Sequence, residues 1–372
     1  LKETQTAALS AGDVVKQRAQ TVLAGERSFD LIVGDSKDVL SHFPDECIDC
    51  VITSPPYWKL RDYEIGATQP GLLIGDEDKP EDYVKNLVEV FNQVRRVLKP
   101  TGSLWLNIGD KYVNKNLMGM PWRVALALQD AGWILRNDII WEKMKGSQPV
   151  NDRFRNNHEY FFYFVKRQEY YFDVTKILVK PTLKPTISDN GTISATGVSG
   201  KKYRRQILGS DRLNEKEREA ALKALDEVLQ QIRDGEVVDF RMTIRGEQRT
   251  YHSNSHRVSG RAKELEQRGF FILKSYAKGY VPSDVWQIAP EDTVKDRSEV
   301  HYAVFPVELL EKPIRATCPA NGVILDPFVG VGSTIVAALY YGHRGVGIDI
   351  SPKYIEIARE RVMSQNKGLG LL

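Results

Sequence analysis

Short apolar runs of strand length alternate with amphipathic helical stretches over most of this chain, and few architectures satisfy that pattern. Runs at 29–33, 48–53, 102–108, 133–141, 160–165, 323–325 and 345–350 read as strands. Stretches at 80–98, 121–131, 306–318, 333–341 and 353–365 read as helices, with Pro80, Pro121 and Pro306 where a first helical turn tolerates proline. The strand runs are largely apolar rather than strictly alternating, as burial on both faces requires. The pattern predicts an α/β fold, a mostly parallel sheet covered on both sides by helices.

That pattern breaks once. From 177 to 281 the chain carries 20 Lys and Arg against 13 Asp and Glu, a net of +7; the whole chain is +3, so the remainder is −4. Such asymmetry marks a region that faces an acidic partner such as nucleic acid. The region opens with Pro181, Pro185 and a Ser/Thr/Gly-rich run at 186–200, read as a linker or mobile loop, and it closes near Pro282 and Pro290. Within it, 214–233 mixes acids and bases at helical spacing and reads as a solvated helix. The expected organisation is an N-terminal helical extension at 1–28, one half of the sheet domain at 29–175, a basic insertion at 176–281 and the other half at 282–372.

Composition closes off several classes. With 42% hydrophobic residues and a net charge of +3, the 372-residue chain is expected to fold around a large core. No run of 18 apolar residues occurs, so no membrane span is expected. The segment 1–25 is polar and lacks the charged-then-apolar leader of a secretion signal. Three cysteines make no disulfide framework, which favours a reducing cytoplasm. Cys47 and Cys50 have C-x-x-C spacing without a second pair, and His252 and His256 lack carboxylates to complete a site, so no metal is expected.

Near the C-terminus the apolar run 323–325 ends in Asp326 and is followed by Pro327-Phe328-Val329-Gly330-Val331-Gly332-Ser333 and a helix. Gly330 and Gly332 let the backbone turn tightly and approach a ligand closely, with a helix N-terminus behind them. Asp349 ends the next strand 17 residues past Gly332, where an acid accepts hydrogen bonds from both ribose hydroxyls of an adenosine cofactor. The loop lacks the third glycine of the dinucleotide fingerprint, and Asp326 would repel a pyrophosphate. A sulfonium cofactor carries no phosphate and has an ammonium for a carboxylate to hold. This favours S-adenosylmethionine over NAD.

At the other end, the run 50–52 leads into Thr53-Ser54-Pro55-Pro56-Tyr57-Trp58. Pro55 and Pro56 stiffen the turn and keep the Pro55 carbonyl out of the sheet. Ser54 and that carbonyl suit the two hydrogens of an exocyclic amine, and Tyr57 offers a face on which a base stacks. Accepting both hydrogens draws the nitrogen lone pair out of ring conjugation and aims it at a methyl donor, so positioning and electrostatics supply the rate. The tryptophans are expected in the core, with Trp58 a candidate to line the base pocket.

Taken together, the Ser54-Pro55-Pro56-Tyr57 tetrad and the Asp326-Pro327-Phe328-Val329-Gly330-Val331-Gly332 loop resemble the DNA amino-methyltransferases, which methylate cytosine N4 or adenine N6. The tetrad precedes the loop, with the basic insertion between them, an order similar to the circularly permuted β class. The resemblance covers roughly 29–175 and 282–365. It implies a Rossmann-like, S-adenosylmethionine-dependent methyltransferase sheet with the insertion as target-recognition domain. It adds Asp35, after the strand 31–33, as the acid near the cofactor adenine, and Phe305, in 301–309, on the wall of the methionine end. Pro327, Phe328 and Ser333 come with the cofactor loop.

In the family, tetrads that begin with Asp usually go with adenine and those with Ser with cytosine, so Ser54 points to cytosine N4, with adenine N6 the alternative. A neutral hydroxyl both donates and accepts, whereas a carboxylate only accepts. Either base must leave the duplex. An RNA amino-methyltransferase and a DNA-binding protein without catalysis are further alternatives. In the insertion, Lys201, Lys202, Arg204, Arg205, Arg241, Arg245, Arg249, Arg257 and Arg261 are candidates for phosphate and base-edge contacts, with Gln248 and Asn254 suited to an adenine edge. The resemblance implies double-stranded DNA as substrate and, in some members, a companion restriction endonuclease; the enzyme is expected in the cytoplasm, associated with the nucleoid through DNA, as monomer or homodimer.

Overall fold

The computed structural model describes residues 10–59, 73–144, 150–182, 184–188, 191–247, 260–290 and 306–367. The chain divides into two compact units, Leu1–Ile177 with Ser283–Leu372, and Leu178–Pro282.

The larger unit is built on eight strands: β1 (Phe29–Val33), β2 (Ile48–Thr53), β3 (Leu98–Ile108), β4 (Ile134–Lys143), β5 (His158–Val165), β6 (Val285–Ile288), β7 (Val323–Asp326) and β8 (Arg344–Asp349). They pair in the order β1-β8-β7-β2-β3-β5-β4-β6, and of these only β5 runs against its neighbours. Seven helices of this unit are α1 (Ala11–Leu23), α2 (Ser36–Ser41), α3 (Pro80–Val97), α4 (Met120–Asp130), α5 (Val307–Thr317), α6 (Ser333–Tyr340) and α7 (Pro352–Lys367).

Successive strand side chains point to opposite faces, and the two cores divide accordingly. Val51, Leu104, Leu106, Phe162 and Phe164 pack with apolar residues of α1 to α4. Their chain neighbours Cys50, Ile52, Trp105, Phe161 and Tyr163 pack instead with Leu309, Leu310 and Ile314 of α5 and Ala337 and Ala338 of α6. Both faces are buried, which is why these strands read as apolar runs.

Some elements depart from expectation. Pro306 is the N-cap of α5, one residue ahead of its first turn. Helix α2 and strand β6 were not anticipated, since 6 and 4 residues are too few to show a period. The run expected as a linker contains an antiparallel pair, Thr186–Ser188 with Gly191–Ile193, consistent with the β-branched residues at 186, 187, 192 and 193.

In the smaller unit, the helix Glu215–Arg233 is capped reciprocally by Asn214 and Glu217. Its buried Ala221, Leu225, Val228 and Ile232 recur at helical spacing and share a core with Phe240, Met242, Ile244 and Phe270 of the antiparallel strands Val237–Ile244 and Phe270–Tyr276. No helix among the described residues is long and apolar enough to cross a membrane.

The strand directions have one consequence for function. The C-terminal ends of β1, β2, β3, β4, β7 and β8 and the N-terminal end of β5 lie along the same edge of the sheet, where ligands of open α/β sheets bind.

Candidate active site

The two motifs lie far apart in sequence, but their strands are neighbours. β2 pairs with β7 through Cys50 with Ile324 and Val51 with Leu325. At the ends of these strands Asp326 Oδ1 accepts from Thr53 Oγ1 at 2.6 Å and from the Phe328 backbone N–H at 3.0 Å, while Oδ2 accepts from Thr334 Oγ1 at 2.6 Å. Burial pushes the Asp326 carboxyl up to about 6, partly opposed by these hydrogen bonds. The carboxylate expected to hold a cofactor ammonium is 1% exposed and binds both loops of the protein itself. With both oxygens bonded to the protein's own groups, Asp326 ties the loop after β2 to the loop after β7.

Asp349 stands at the end of β8. Its Oδ2 accepts from the Gly330 N–H at 3.0 Å and its Oδ1 from the Ser351 N–H at 2.9 Å. Burial pushes its carboxyl up to about 6 as well. Gly330 and Gly332 adopt φ of 48° and 85°, a left-handed backbone that glycine adopts without penalty. A Cβ on Gly332 would also come within 3.1 Å of Ala358. The Gly34 N–H donates to the Asp349 carbonyl at 2.9 Å, so the end of β1 sits beside that of β8. Asp35 caps α2, accepting from the N–H groups of Lys37 and Asp38 at 2.9 and 3.2 Å, and Ser36 Oγ donates to the Pro327 carbonyl. Pro327 is buried, Phe328 half-buried, and Ser333 Oγ accepts from Arg361 at 3.0 Å. Phe305 lies outside the described residues.

The tetrad follows β2 at the same edge. Ser54 is half-buried; Tyr57 is buried, 5% exposed. Ser54 Oγ lies 3.3 Å from the Tyr57 hydroxyl, which is 2.8 Å from Glu159 Oε2 and 3.1 Å from Asn107 Oδ1. Lys143 Nζ pairs with Glu159 Oε1. A Cβ on Gly109 would come 2.8 Å from the Tyr57 ring, so close packing holds the ring as well. The turn is anchored by Tyr83, whose hydroxyl donates to the Pro56 carbonyl at 2.9 Å. Trp58 is in the core, its indole N–H donating to the Glu77 carbonyl at 2.7 Å. Sequence reasoning missed Thr53, Asn107, Lys143, Glu159 and Thr334; their common signal is a polar residue at or just beyond the end of an apolar element.

In the smaller unit, Lys201, Lys202, Arg204 and Arg205 are exposed on the helix Gly200–Gly209, with Arg204 paired to Asp226. Arg241 is exposed on the strand Val237–Ile244. Arg245 differs from expectation: it donates to Glu217 at 2.6 Å and to the carbonyls of Arg212 and Glu266 at 2.8 and 2.9 Å, so its fork cross-links the unit internally. Gln248, Arg249, His252, Asn254, His256 and Arg257, and the side chain of Arg261, lie outside the described residues. Burial pushes the Cys47 and Cys50 thiols up to about 11 and about 12, which keeps them protonated. Among the described residues no His/Cys/Asp/Glu group is arranged to hold a metal ion.

A family model described as DNA methylase, of the N6/N4 methyltransferase type, matches residues 48–360. The chain belongs to this family. It is a DNA methyltransferase of the N4/N6 kind, and the matched span contains the tetrad, the basic unit, Asp326 and Asp349. Type II methyltransferase M.SfiI of Streptomyces fimbriatus is 32% identical to it, with 94% of each chain covered. Type II methyltransferase M.SmaI of Serratia marcescens is 29% identical over 94% of this methyltransferase and 96% of its own length. Among solved structures, PvuII DNA methyltransferase (cytosine-N4-specific) superposes with a TM-score of 0.54, 92% of each chain covered and 17% identity, a likeness of fold.

Proposed function

We propose that this DNA methyltransferase moves a methyl group from S-adenosylmethionine to the N4 amine of a cytosine flipped out of duplex DNA. The observation that supports the reading is the bond from Thr53 to Asp326, which ties the residue before Ser54 to the acid that precedes the glycine loop. Serine at the head of the tetrad supports cytosine over adenine.

S-adenosylmethionine supplies an electrophilic methyl group on a sulfonium. The residues present fit it: Asp349 is a half-buried acid at a strand end facing a loop of left-handed glycines, as an adenosine ribose requires. Asp35 lies beside it at the end of β1 and is assigned to the adenine. On the other side, Ser54 Oγ and the Pro55 carbonyl accept the two amine hydrogens, and Tyr57 fixes the hydroxyl of Ser54. The amine lone pair would thereby be freed to attack the methyl group as its bond to sulfur breaks and S-adenosylhomocysteine leaves, and the methylated nitrogen would lose one proton to solvent. Extruding the base costs about a few kcal/mol of unstacking.

The unit Leu178–Pro282 is assigned to DNA recognition, with Lys201, Lys202, Arg205 and Arg241 on phosphates or base edges. The type II relatives favour a companion restriction endonuclease, and a cytoplasmic location goes with the substrate. Nucleoside mass spectrometry of methylation-free DNA treated with enzyme and S-adenosylmethionine tests the reading. N4-methylcytosine is the expected product. N6-methyladenine would overturn the base assignment, and neither product on DNA of varied sequence would overturn the reading.

A further inference from the structure

The Tyr57 hydroxyl has oxygens from three different elements around it: Ser54 Oγ at 3.3 Å, Asn107 Oδ1 at 3.1 Å and Glu159 Oε2 at 2.8 Å. A phenol has one proton to give, and carboxylate and amide oxygens only accept. Asn107 already donates its amide to the Tyr160 carbonyl at 3.2 Å, which turns its oxygen toward Tyr57. Glu159 Oε2 is the nearest of these oxygens, on a side chain paired with Lys143, so it accepts the phenol's hydrogen bond. The phenol oxygen accepts in turn from Ser54 Oγ at 3.3 Å. Its own lone pairs are left facing the substrate.

We infer that Glu159, held by Lys143, is a positioning residue for methyl transfer: acting through Tyr57, it orients the Ser54 hydroxyl so that serine accepts from the target amine. The inference rests on the reading that Ser54 is such an acceptor. Lys143 at the end of β4 and Glu159 at the start of β5 are placed by strand pairing, Trp141 opposite Glu159, and both lie outside the tetrad. Lys143 makes the arrangement directional. Its ammonium requires an oxygen at the Oε1 position of residue 159, so a glutamine there turns its oxygen to Lys143 and its N–H group to Tyr57. The phenol then accepts from residue 159, which competes with Ser54 for its lone pairs, and the serine proton is no longer held away from the substrate.

A double-mutant cycle tests this, with kcat and KM for DNA and cofactor affinity by calorimetry. Glu159→Gln is expected to lower kcat by about tenfold or more while leaving cofactor affinity and KM for DNA within about twofold. In a Tyr57→Phe background, the same substitution is expected to change nothing further. Adding Lys143→Met to Glu159→Gln frees the amide to present its oxygen and is expected to restore part of the lost kcat; a structural role for the pair predicts a further loss. Wild-type kcat in Glu159→Gln, an equal loss with and without the Tyr57 hydroxyl, or no recovery with Lys143→Met would each overturn the inference. Should Glu159→Gln fail to fold, Tyr57→Phe alone must show the same loss confined to kcat, and wild-type kcat there overturns it. Ser54→Ala separates the two levels: full activity in that variant sinks the acceptor reading itself, whereas an inactive Ser54→Ala beside an unaffected Glu159→Gln sinks this inference alone.

Discussion

Thr53 donates its hydroxyl to Asp326 at 2.6 Å across 273 residues of chain, and both side chains are buried. The bond joins the strand that ends in the tetrad to the strand that ends in the glycine loop. Thr334, the second residue of α6, closes the other oxygen of the same carboxylate. One buried acid therefore fixes the relative positions of the groups assigned to amine and cofactor.

Thr53→Val removes one donor from a buried carboxylate while keeping side-chain shape. Denaturant unfolding is expected to show a loss of about 1–3 kcal/mol, with a smaller effect for an exposed threonine such as Thr196. Equal stability of Thr53→Val and wild type would show that this bond latches nothing.

Asp349 gives a pH dependence whose sign follows from its environment. Burial raises its carboxyl from the ordinary 3.8 to about 6, so it is ionised above that pH and protonated below it. A ribose needs the ionised form as acceptor, and cofactor affinity is expected to fall as pH drops through about 6. Folding stability runs the other way. Asp326 and Asp349 both have raised carboxyls, so their contribution is fully present in acid and is lost as pH rises from about 4 to about 6. Asp349→Asn is expected to flatten the affinity profile, read by calorimetry between pH 5 and 8, within about the range where this group titrates.

Gly109→Ala puts a methyl group 2.8 Å from the Tyr57 ring. The ring is buried and must shift, so kcat is expected to fall by about 10- to 100-fold with cofactor affinity unchanged. Loss of cofactor affinity in step with kcat would point to general unfolding instead.

Much of this site was legible in the sequence because its signals are local. An apolar strand, a glycine loop and a helix follow one another from Val323 to Tyr340, and Asp349 closes the unit within a few tens of residues. The tetrad likewise lies within four consecutive residues. What was not legible depends on pairing across the sheet. Nothing near Asp326 shows that Thr53 will reach it, so the tie between the two loops could not be read from the glycine loop alone. Glu159 stands at the second position of β5, whose apolar run begins at Tyr160, and the pattern trimmed it off as loop. Arg245 looked like its neighbours in a basic stretch until the fold placed Glu217 and two carbonyls around it.

The helix Gly200–Gly209 carries exposed Lys201, Lys202 and Arg205. Replacing the three by Glu is expected to weaken DNA binding and to reduce the slope of log K against log salt by about 1 for each phosphate no longer neutralised. An unchanged slope would place the DNA-binding surface elsewhere.

The central claim is that the Ser54 loop acts on the amine and the Asp349 loop holds the cofactor, as two halves of one site. Its most direct test follows labelled methyl transfer from S-adenosylmethionine to duplex DNA, alongside cofactor calorimetry, for wild type, Ser54→Ala and Asp349→Ala. Ser54→Ala is expected to lose transfer and keep wild-type cofactor affinity. Asp349→Ala is expected to lose about 10- to 100-fold in cofactor affinity. Transfer by Ser54→Ala at the wild-type rate would contradict the account.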